Sequence, residues 1–223
     1  MQDPRTTHDI NADGFLNMLI AARDAGVKRF VYASSSSVYG DHPDLPKRED
    51  KTGNPLSTYA VSKKTNELYA KVFCDSFGMQ IIGLRYFNVF GPRQDPNGPY
   101  AAVIPAFIRD LQSGKSPVIY GDGSQTRDFT FVENAVQANI KSLLTENTDA
   151  AGEVYNVACG AASSILDLFN MLCTEMRIDA KPNFQPQRKG DILHSSADIT
   201  KAKKMLGYSP RVDLRQGLNL LLR

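Results

Sequence analysis

The sequence has few of the features that mark secreted, membrane-bound or nucleic-acid-binding proteins. It has three cysteines in 223 residues and no Cys-x-x-Cys pair, which argues against a disulfide framework and a zinc site and fits a reducing compartment. No apolar run is long enough to cross a bilayer. The formal net charge is only +2, so charge suggests neither a nucleic-acid nor a membrane partner. We therefore expect a cytoplasmic protein without a metal site.

Hydrophobic patterns predict alternating helices and strands in the first part of the chain. Residues 11–25 carry apolar side chains at helical spacing, and residues 29–33 form the short apolar run of a buried parallel strand. A second long helix is predicted for residues 58–77, where Gly78 ends it, and another buried strand for residues 80–87. This order is typical of a doubly wound parallel α/β sheet.

The rest of the chain mixes shorter elements with turns. Helices are predicted for residues 102–113, 133–144, 164–176 and 199–206, and strands for residues 118–120, 129–131 and 154–157. A smaller α/β region therefore interleaves with the parallel sheet.

The central chemical feature is the pair Tyr59 and Lys63 at the start of the second long helix. Residues four apart lie on one face of a helix, so the phenol and the ammonium can point into the same cleft. A neighbouring ammonium favours the phenolate that a general base requires. On its own, this spacing more often marks an exposed helical pair.

The context of the pair favours chemistry. The predicted strand at residues 29–33 runs directly into four serines, Ser34 to Ser37. Ligands of parallel sheets sit at the carboxyl ends of the strands, so a hydroxyl there can bind a substrate oxygen and share a proton with Tyr59. The alternative, a serine-rich turn, does not explain why a buried strand ends in four hydroxyls.

Six segments carry a family resemblance. They are residues 11–14 (NADG), 33–40 (ASSSSVYG), 55–63 (PLSTYAVSK), 84–92 (LRYFNVFGP), 121–129 (GDGSQTRDF) and 188–191 (RKGD). In order and spacing they resemble the extended short-chain dehydrogenases/reductases that modify nucleotide sugars, and the similarity covers nearly the whole chain. The resemblance implies a Rossmann-like sheet, NAD as cofactor and a UDP-sugar as substrate.

The resemblance also implies how the chain divides. Residues 1–91 and 128–158 would be the C-terminal part of the Rossmann-like NAD-binding domain. Residues 92–127 and 159–223 would form a small interleaved domain that binds the nucleotide sugar.

Roles carry over position by position. Tyr59 would be the acid/base for the sugar 4-hydroxyl, Lys63 would hold the nicotinamide ribose, and Ser35 would be the catalytic hydroxyl. Phe87 would pack near the nicotinamide, and Asn11 would belong to the cofactor site. The implied substrate-binding residues are Ser35, Ser36, Ser37, Asn88, Ala102, Val103, Tyr120, Arg127, Arg188, Asp191 and Ser195.

Several of these residues have a specific partner on the substrate. Asn88, Arg127 and Arg188 would bind the sugar diphosphate, for which a planar guanidinium offers bidentate contact. Asp191 would accept a hydrogen bond from a ribose or sugar hydroxyl.

The serines after Ser35 favour epimerisation within the family. Dehydratases of the family resemble one another in carrying Asp-Glu at the positions of Ser36 and Ser37, because elimination of water needs its own acid and base. Decarboxylases tend to have a carboxylate there too. A 4-epimerase needs only the tyrosine, a hydroxyl and a bound NAD.

The segment near residue 195 gives the best indication of the sugar. In epimerases restricted to UDP-glucose and UDP-galactose, the position of Ser195 resembles a bulky tyrosine, whereas serine leaves space for a 2-acetamido group. Residues 91–106 also look most like UDP-N-acetylglucosamine 4-epimerases of bacterial polysaccharide pathways. We therefore predict interconversion of UDP-N-acetylglucosamine and UDP-N-acetylgalactosamine, or of their uronic acids.

Two alternatives stay open. One is another nucleotide-sugar epimerase, dehydratase or decarboxylase of the family. The other is a non-catalytic member that binds nucleotide sugars, although the intact set of Ser35, Tyr59 and Lys63 argues against it.

The chain departs from the family pattern in its glycine-rich turn. The Gly-x-x-Gly-x-x-Gly turn that holds the NAD pyrophosphate at a helix N-terminus does not occur in the 223 residues. We expect a fragment that begins roughly 100 residues late by comparison with family length. The sheet should therefore lack its first strands, the strands at Phe30 and Ile81 should lose neighbours on one side, and NAD affinity and activity should be very low.

Family members pair two helices per subunit into a four-helix bundle, so the resemblance implies a homodimer. The helices that begin near Asn11 and Thr58 would form the bundle. Apolar Leu68, Val72 and Phe73 fit that use, and they fit packing onto the sheet nearly as well.

Overall fold

A computed structural model describes residues 3–95, 102–187 and 192–223. The helices are α1 (Pro4–His8), α2 (Gly14–Asp24), α3 (Thr58–Phe77), α4 (Val103–Gln112), α5 (Val132–Leu144), α6 (Ile165–Met176), α7 (Thr200–Leu206) and α8 (Leu214–Leu221). The strands are β1 (Arg29–Ser35), β2 (Gln80–Tyr86), β3 (Val89–Phe90), β4 (Val118–Tyr120), β5 (Thr126–Asp128), β6 (Thr130–Phe131), β7 (Val154–Val157), β8 (Ala162–Ser164) and β9 (Asn183–Gln185). Within the described ranges, no helix is both long and apolar enough to span a membrane.

The main sheet is parallel, with strand order β1-β2-β7. Its register pairs Phe30 with Ile81 and Ser35 with Tyr86, so the serines that follow β1 lie beside the end of β2. The expectation that the strand at Ile81 loses a neighbour was wrong. Strand β7 pairs in parallel with the edge of β2 opposite β1, so β2 has a partner on both sides. Within the described residues β1 has a partner on one side only, as expected for the strand at Phe30.

Helices cover both faces of this sheet. On one face, α2 and α3 enclose a core of Leu19, Ala22, Tyr32, Ala70, Phe73, Met79 and Ile81. On the other face, α5 and α7 pack over Ile82, Leu84, Phe87, Tyr155 and Val157. The doubly wound α/β class predicted from the sequence is thereby confirmed.

Helix α3 owes its bounds to its two caps. The Ser57 hydroxyl accepts a hydrogen bond from the Ala60 amide at 3.1 Å, which satisfies one amide of the first turn. Gly78 ends the helix in the left-handed region, at φ 65°, where a side chain would be strained. The Ser57 cap fixes the start of α3, and with it the positions of Tyr59 and Lys63.

A second core lies beside the sheet. It is formed by Phe90, Ile104, Phe107, Leu111, Ile119, Phe129, Phe131, Ile165, Leu168, Phe169, Leu172 and Leu218. The packing differs from the predicted domain division at residues 197–208, which join the core of the parallel sheet. The difference arises because α7 packs on β7, a contact between distant parts of the chain that local patterns do not reveal.

Candidate active site

Tyr59 and Lys63 lie one turn apart at the start of α3 and face the carboxyl end of β1. The Lys63 ammonium donates a hydrogen bond to the Ala33 carbonyl at 2.9 Å. Its nitrogen is 5.7 Å from the centroid of the Tyr59 ring. Burial lowers the pKa of Lys63. The ammonium thus acts from a poorly hydrated position, where its influence on a neighbouring phenol is stronger than in water.

Ser35 and Tyr59 share a cleft, here called the inner cleft, of about 390 Å³. Its lining residues are Ala33, Ser34, Ser35, Tyr59, Tyr86, Asn88, Val89 and Ala135. The Ser35 hydroxyl accepts from the Ser37 amide at 3.2 Å. A hydroxyl has one donor and two acceptor sites, so the hydrogen of Ser35 stays available to a ligand in the cleft.

The other serines of the run have different surroundings. Ser34 is buried, and its hydroxyl donates to the Glu67 carboxylate at 2.6 Å, which gives it a structural use. Ser36 and Ser37 line a second space, here called the middle cavity. Among the described residues the buried Ser37 Oγ has no hydrogen-bond partner, so it can bind a ligand hydroxyl.

The middle cavity has a volume of about 310 Å³. Its lining residues are Ser36, Ser37, Tyr39, Gly40, Lys47, Asn88, Arg127, Ile192 and Ser195. Two of them, Lys47 and Arg127, are cationic, and none of the described ones is acidic. The cavity therefore favours an anionic or oxygen-rich ligand.

A third space, here called the outer cavity, has a volume of about 510 Å³. It lies between α4, β4 and β5, and five predicted substrate residues line it: Asn88, Ala102, Val103, Tyr120 and Arg127. Arg127 also lines the middle cavity, so this residue borders both spaces. Arg109 and Asp110 of α4 line the outer cavity as well, and no sequence motif had indicated them.

Asn88 connects the three spaces, since it lines the inner cleft, the middle cavity and the outer cavity. It follows β2 with φ 39°, in the left-handed region that asparagine tolerates better than most residues. Its Nδ2 donates to the Asp128 carbonyl at 3.1 Å. The backbone turn and this bond together hold Asn88 where the spaces meet.

Three of the described site residues that the sequence predicted, Lys63, Phe87 and Asn11, are not among those that line these spaces. The Phe87 side chain is fully buried in the core, with its ring 5.9 Å from that of Tyr39. Asn11 lies half-buried in a π-helical turn, Asp9–Asp13, that packs on α3. Arg188 and Asp191 lie outside the described residues.

Lys47 is the lining residue that sequence reasoning missed most clearly. Its side chain is buried, and its ammonium donates to the His42 carbonyl. Burial lowers the pKa of Lys47. The only local signal was a lysine after a proline in a polar loop, and such residues are usually exposed.

Comparison with known proteins decides the family. Residues 1–158 match the NAD dependent epimerase/dehydratase family. The chain belongs to this family. A putative UDP-glucose 4-epimerase of Methanocaldococcus jannaschii is 36% identical over 219 residues, which cover 98% of this chain and 70% of that protein. The UDP-glucose 4-epimerase of Mycolicibacterium smegmatis is 35% identical, over 98% of this chain and 69% of that protein.

Solved structures of family members are similar throughout the chain. UDP-N-acetylglucosamine 4-epimerase from Methanobrevibacter ruminantium, in complex with UDP-N-acetylmuramic acid, has a TM-score of 0.91 and 41% identity, over 96% of this chain and 68% of that one. UDP-glucuronic acid 4-epimerase from Bacillus cereus, in complex with UDP-glucuronic acid and NAD, has a TM-score of 0.90 and 33% identity, over 99% and 68%. The predicted family, Rossmann-like fold and NAD dependence are confirmed.

Proposed function

We propose that this family member carries the acid/base and substrate-binding residues of a NAD-dependent UDP-sugar 4-epimerase, acting on UDP-N-acetylglucosamine and UDP-N-acetylgalactosamine. The observation that carries the proposal is the meeting of three spaces at Asn88. A nucleoside fits the outer cavity, a diphosphate fits beside Arg127, and a sugar fits the middle cavity with its reacting carbon toward Tyr59.

The residues present suit one end of NAD. The Lys63 ammonium, beside the exposed Ala33 at the rim of the inner cleft, would bind the nicotinamide ribose. No glycine-rich turn for the pyrophosphate occurs in the 223 residues. When bound, the cofactor would accept a hydride from sugar C4 and return it to the opposite face.

Proton transfer falls to this chain's own side chains. Tyr59 would take the proton of the sugar 4-hydroxyl and return it after the 4-keto sugar has rotated to present its other face. Ser35 would donate its available hydrogen to the same sugar oxygen and stabilise the charge that develops there. Lys63 would place a positive charge 5.7 Å from the centroid of the Tyr59 ring. Small serines around the middle cavity leave room for the sugar to rotate while Arg127 holds the diphosphate.

Activity is best tested on a fusion. Residues 1–223 are joined behind the glycine-rich NAD-binding segment of the Methanobrevibacter ruminantium epimerase, and the fusion is assayed for conversion of UDP-N-acetylglucosamine to UDP-N-acetylgalactosamine. We expect epimerisation by the fusion. For the chain alone we expect binding of the UDP-sugar, no saturation with micromolar NAD, and no turnover. A fusion that binds the UDP-sugar and NAD but forms no epimer would refute the proposal. Micromolar NAD binding by the chain alone would refute the prediction that its affinity for NAD is very low.

The size of residue 195 should set the preference for the sugar. Ser195→Tyr should weaken binding of UDP-N-acetylglucosamine by about tenfold or more, since overpacking costs about 1–3 kcal/mol. Binding of UDP-glucose should change little. Calorimetry with both nucleotides checks this, and Ser195→Ala is the matched control that removes the hydroxyl without adding bulk. Equal losses for the two nucleotides would mean that Ser195 does not border the 2-acetamido group.

A uronic acid form of the same sugar is the second candidate. Lys47 and Arg127 place two positive charges around the middle cavity, and none of the described lining residues is acidic. A sugar carboxylate would meet favourable charge there. The fusion is therefore assayed in parallel with UDP-N-acetylglucosaminuronate, and faster turnover of the uronate than of the neutral sugar would favour this candidate.

We also propose that the chain forms a homodimer through α2 and α3. The sequence left open whether Leu68, Val72 and Phe73 serve a dimer bundle or packing onto the sheet. Phe73 packs into the core, whereas Leu68 and Val72 are 61% and 54% exposed. Met18 of α2 is similarly exposed. Apolar side chains on two neighbouring helices are the surface that a four-helix bundle requires.

A further inference from the structure

Asp128, at the end of β5, is fully buried and bonds to three separate segments. Its Oδ1 accepts from the Cys159 amide at 2.9 Å. Its Oδ2 accepts from the amides of Gly160 at 3.0 Å and Ala197 at 3.3 Å. Its backbone carbonyl accepts from Asn88 Nδ2 at 3.1 Å. One residue thus joins β5 to the turn after β2, the turn after β7 and the segment before α7.

The three amides can only donate, so the side chain between them must accept at both oxygens. An ionised carboxylate is acceptor-only and does this. A protonated carboxyl, or an asparagine in its place, presents a donor on one side, which opposes an amide N–H. The arrangement therefore depends on the charge of Asp128.

The joined segments form walls of the substrate spaces. Ala197 follows Ser195 by two residues, and Ser195 lines the middle cavity. Arg127 precedes Asp128 and lines the middle and outer cavities. Asn88, bonded to the Asp128 carbonyl, lines all three spaces. Asp128 itself is not among the lining residues, so it acts from behind these walls.

We propose that Asp128 is a positioning residue, whose ionised carboxylate holds the walls around Ser195 and Asn88 in the geometry that binds the UDP-sugar. The inference rests on the proposed function, and it adds a dependence of substrate affinity on pH. Burial raises the pKa of Asp128 to about 6, although the backbone amides act in the opposite direction. Affinity is therefore full above this value and falls as the pH drops below it, because the proton removes one acceptor from the three amides.

Two other ionisable groups couple directly to Asp128. Burial raises the pKa of Cys159 to about 11. Burial also raises the pKa of Tyr208, well above its ordinary value. Neither group changes charge near the pKa of Asp128, and the neighbouring Arg127 keeps its charge throughout.

The segment that contains Ala197 carries two further ionisable side chains. Hydrogen bonds from Thr200 lower the pKa of Asp198, which moves it further from the raised pKa of Asp128. His194 lies with its Nδ1 3.2 Å from Thr126 Oγ1, beside the strand that ends in Asp128. Both positions therefore need control variants.

The test is calorimetry of the 223-residue chain with UDP-N-acetylglucosamine from about pH 5 to about pH 8. This ligand suits the test because both of its phosphates are esterified and keep constant charge. For the wild type we expect affinity to fall below about pH 6, by up to about tenfold per pH unit. Asp128→Asn should bind about tenfold more weakly above that pH and should lose most of the pH dependence.

Asp198→Asn and His194→Gln are the matched controls, and both should keep the wild-type profile. A flat wild-type profile, or a profile that survives in Asp128→Asn, overturns the inference while the proposed function stands. A wild-type chain that binds no UDP-sugar at any pH overturns the proposed function instead. If Asp128→Asn does not fold, the wild-type and His194→Gln profiles decide: a shared fall below about pH 6 supports the inference and its absence from either overturns it.

Discussion

Replacing Tyr59 by phenylalanine is expected to lower the epimerisation rate of the fusion by about 10²–10⁴-fold, the usual contribution of a positioned acid/base group. The substitution removes only the phenolic oxygen. The aromatic ring keeps its place at the start of α3, and Lys63 keeps its hydrogen bond to Ala33. Binding of the UDP-sugar should therefore change little, so the loss should appear in kcat rather than in KM.

A second tyrosine of the inner cleft gives the matched control. Tyr86 lines the same cleft, and its hydroxyl accepts from Asn139 Nδ2 at 2.7 Å. Burial raises the pKa of Tyr86, so its hydroxyl stays protonated and does not serve as a general base. Tyr86→Phe should keep most of the activity. Equal losses for the two variants would show that the cleft, and not the Tyr59 hydroxyl, governs the rate.

Replacing Glu67 by glutamine is expected to lower the free energy of unfolding by about 3–5 kcal/mol, the usual cost of leaving one partner of a buried ion pair uncompensated. Glu67 and Arg85 are 8% and 2% exposed. The guanidinium makes two bonds to the carboxylate, both at 2.8 Å, and Ser34 donates to the same carboxylate. The pair ties α3 to both β1 and β2.

The chain contains no tryptophan, so urea unfolding of Glu67→Gln is best followed by far-ultraviolet circular dichroism. The control is Asp75→Asn on the same helix. Asp75 pairs with Lys71 at 2.9 Å, but both side chains are more than half exposed, and we expect no detectable change. Equal changes in the free energy of unfolding for the two variants would show that the Glu67–Arg85 pair stabilises α3 no more than an exposed ion pair does.

Features encoded by local pattern were predictable from the sequence. The glycine that ends α3, the helical spacing of Tyr59 and Lys63, and the apolar runs of β1 and β2 are all short-range signals. They were sufficient to predict the doubly wound sheet and the approach of Ser35 to Tyr59. The motif resemblance added Asn88 and Arg127, whose placement between cavities no spacing rule would give.

Features set by long-range contacts were not predictable. Lys47 lines the middle cavity because its backbone pairs with that of Ala197, far along the chain. In the sequence, Asp128 is a charged residue next to Arg127, and nothing local indicates burial. It is buried because the turn after β7 and the segment before α7 enclose its carboxylate. In both cases a charged residue is inside because distant backbone segments surround it.

The bond from Lys63 to the Ala33 carbonyl ties the ammonium to an edge strand of the described sheet. A strand that pairs along the open side of β1 would steady the same backbone that accepts from Lys63. The two events are then thermodynamically linked, and each favours the other by the same free energy. Pairing along that edge of β1 and readiness for proton transfer would thus be two measures of a single equilibrium.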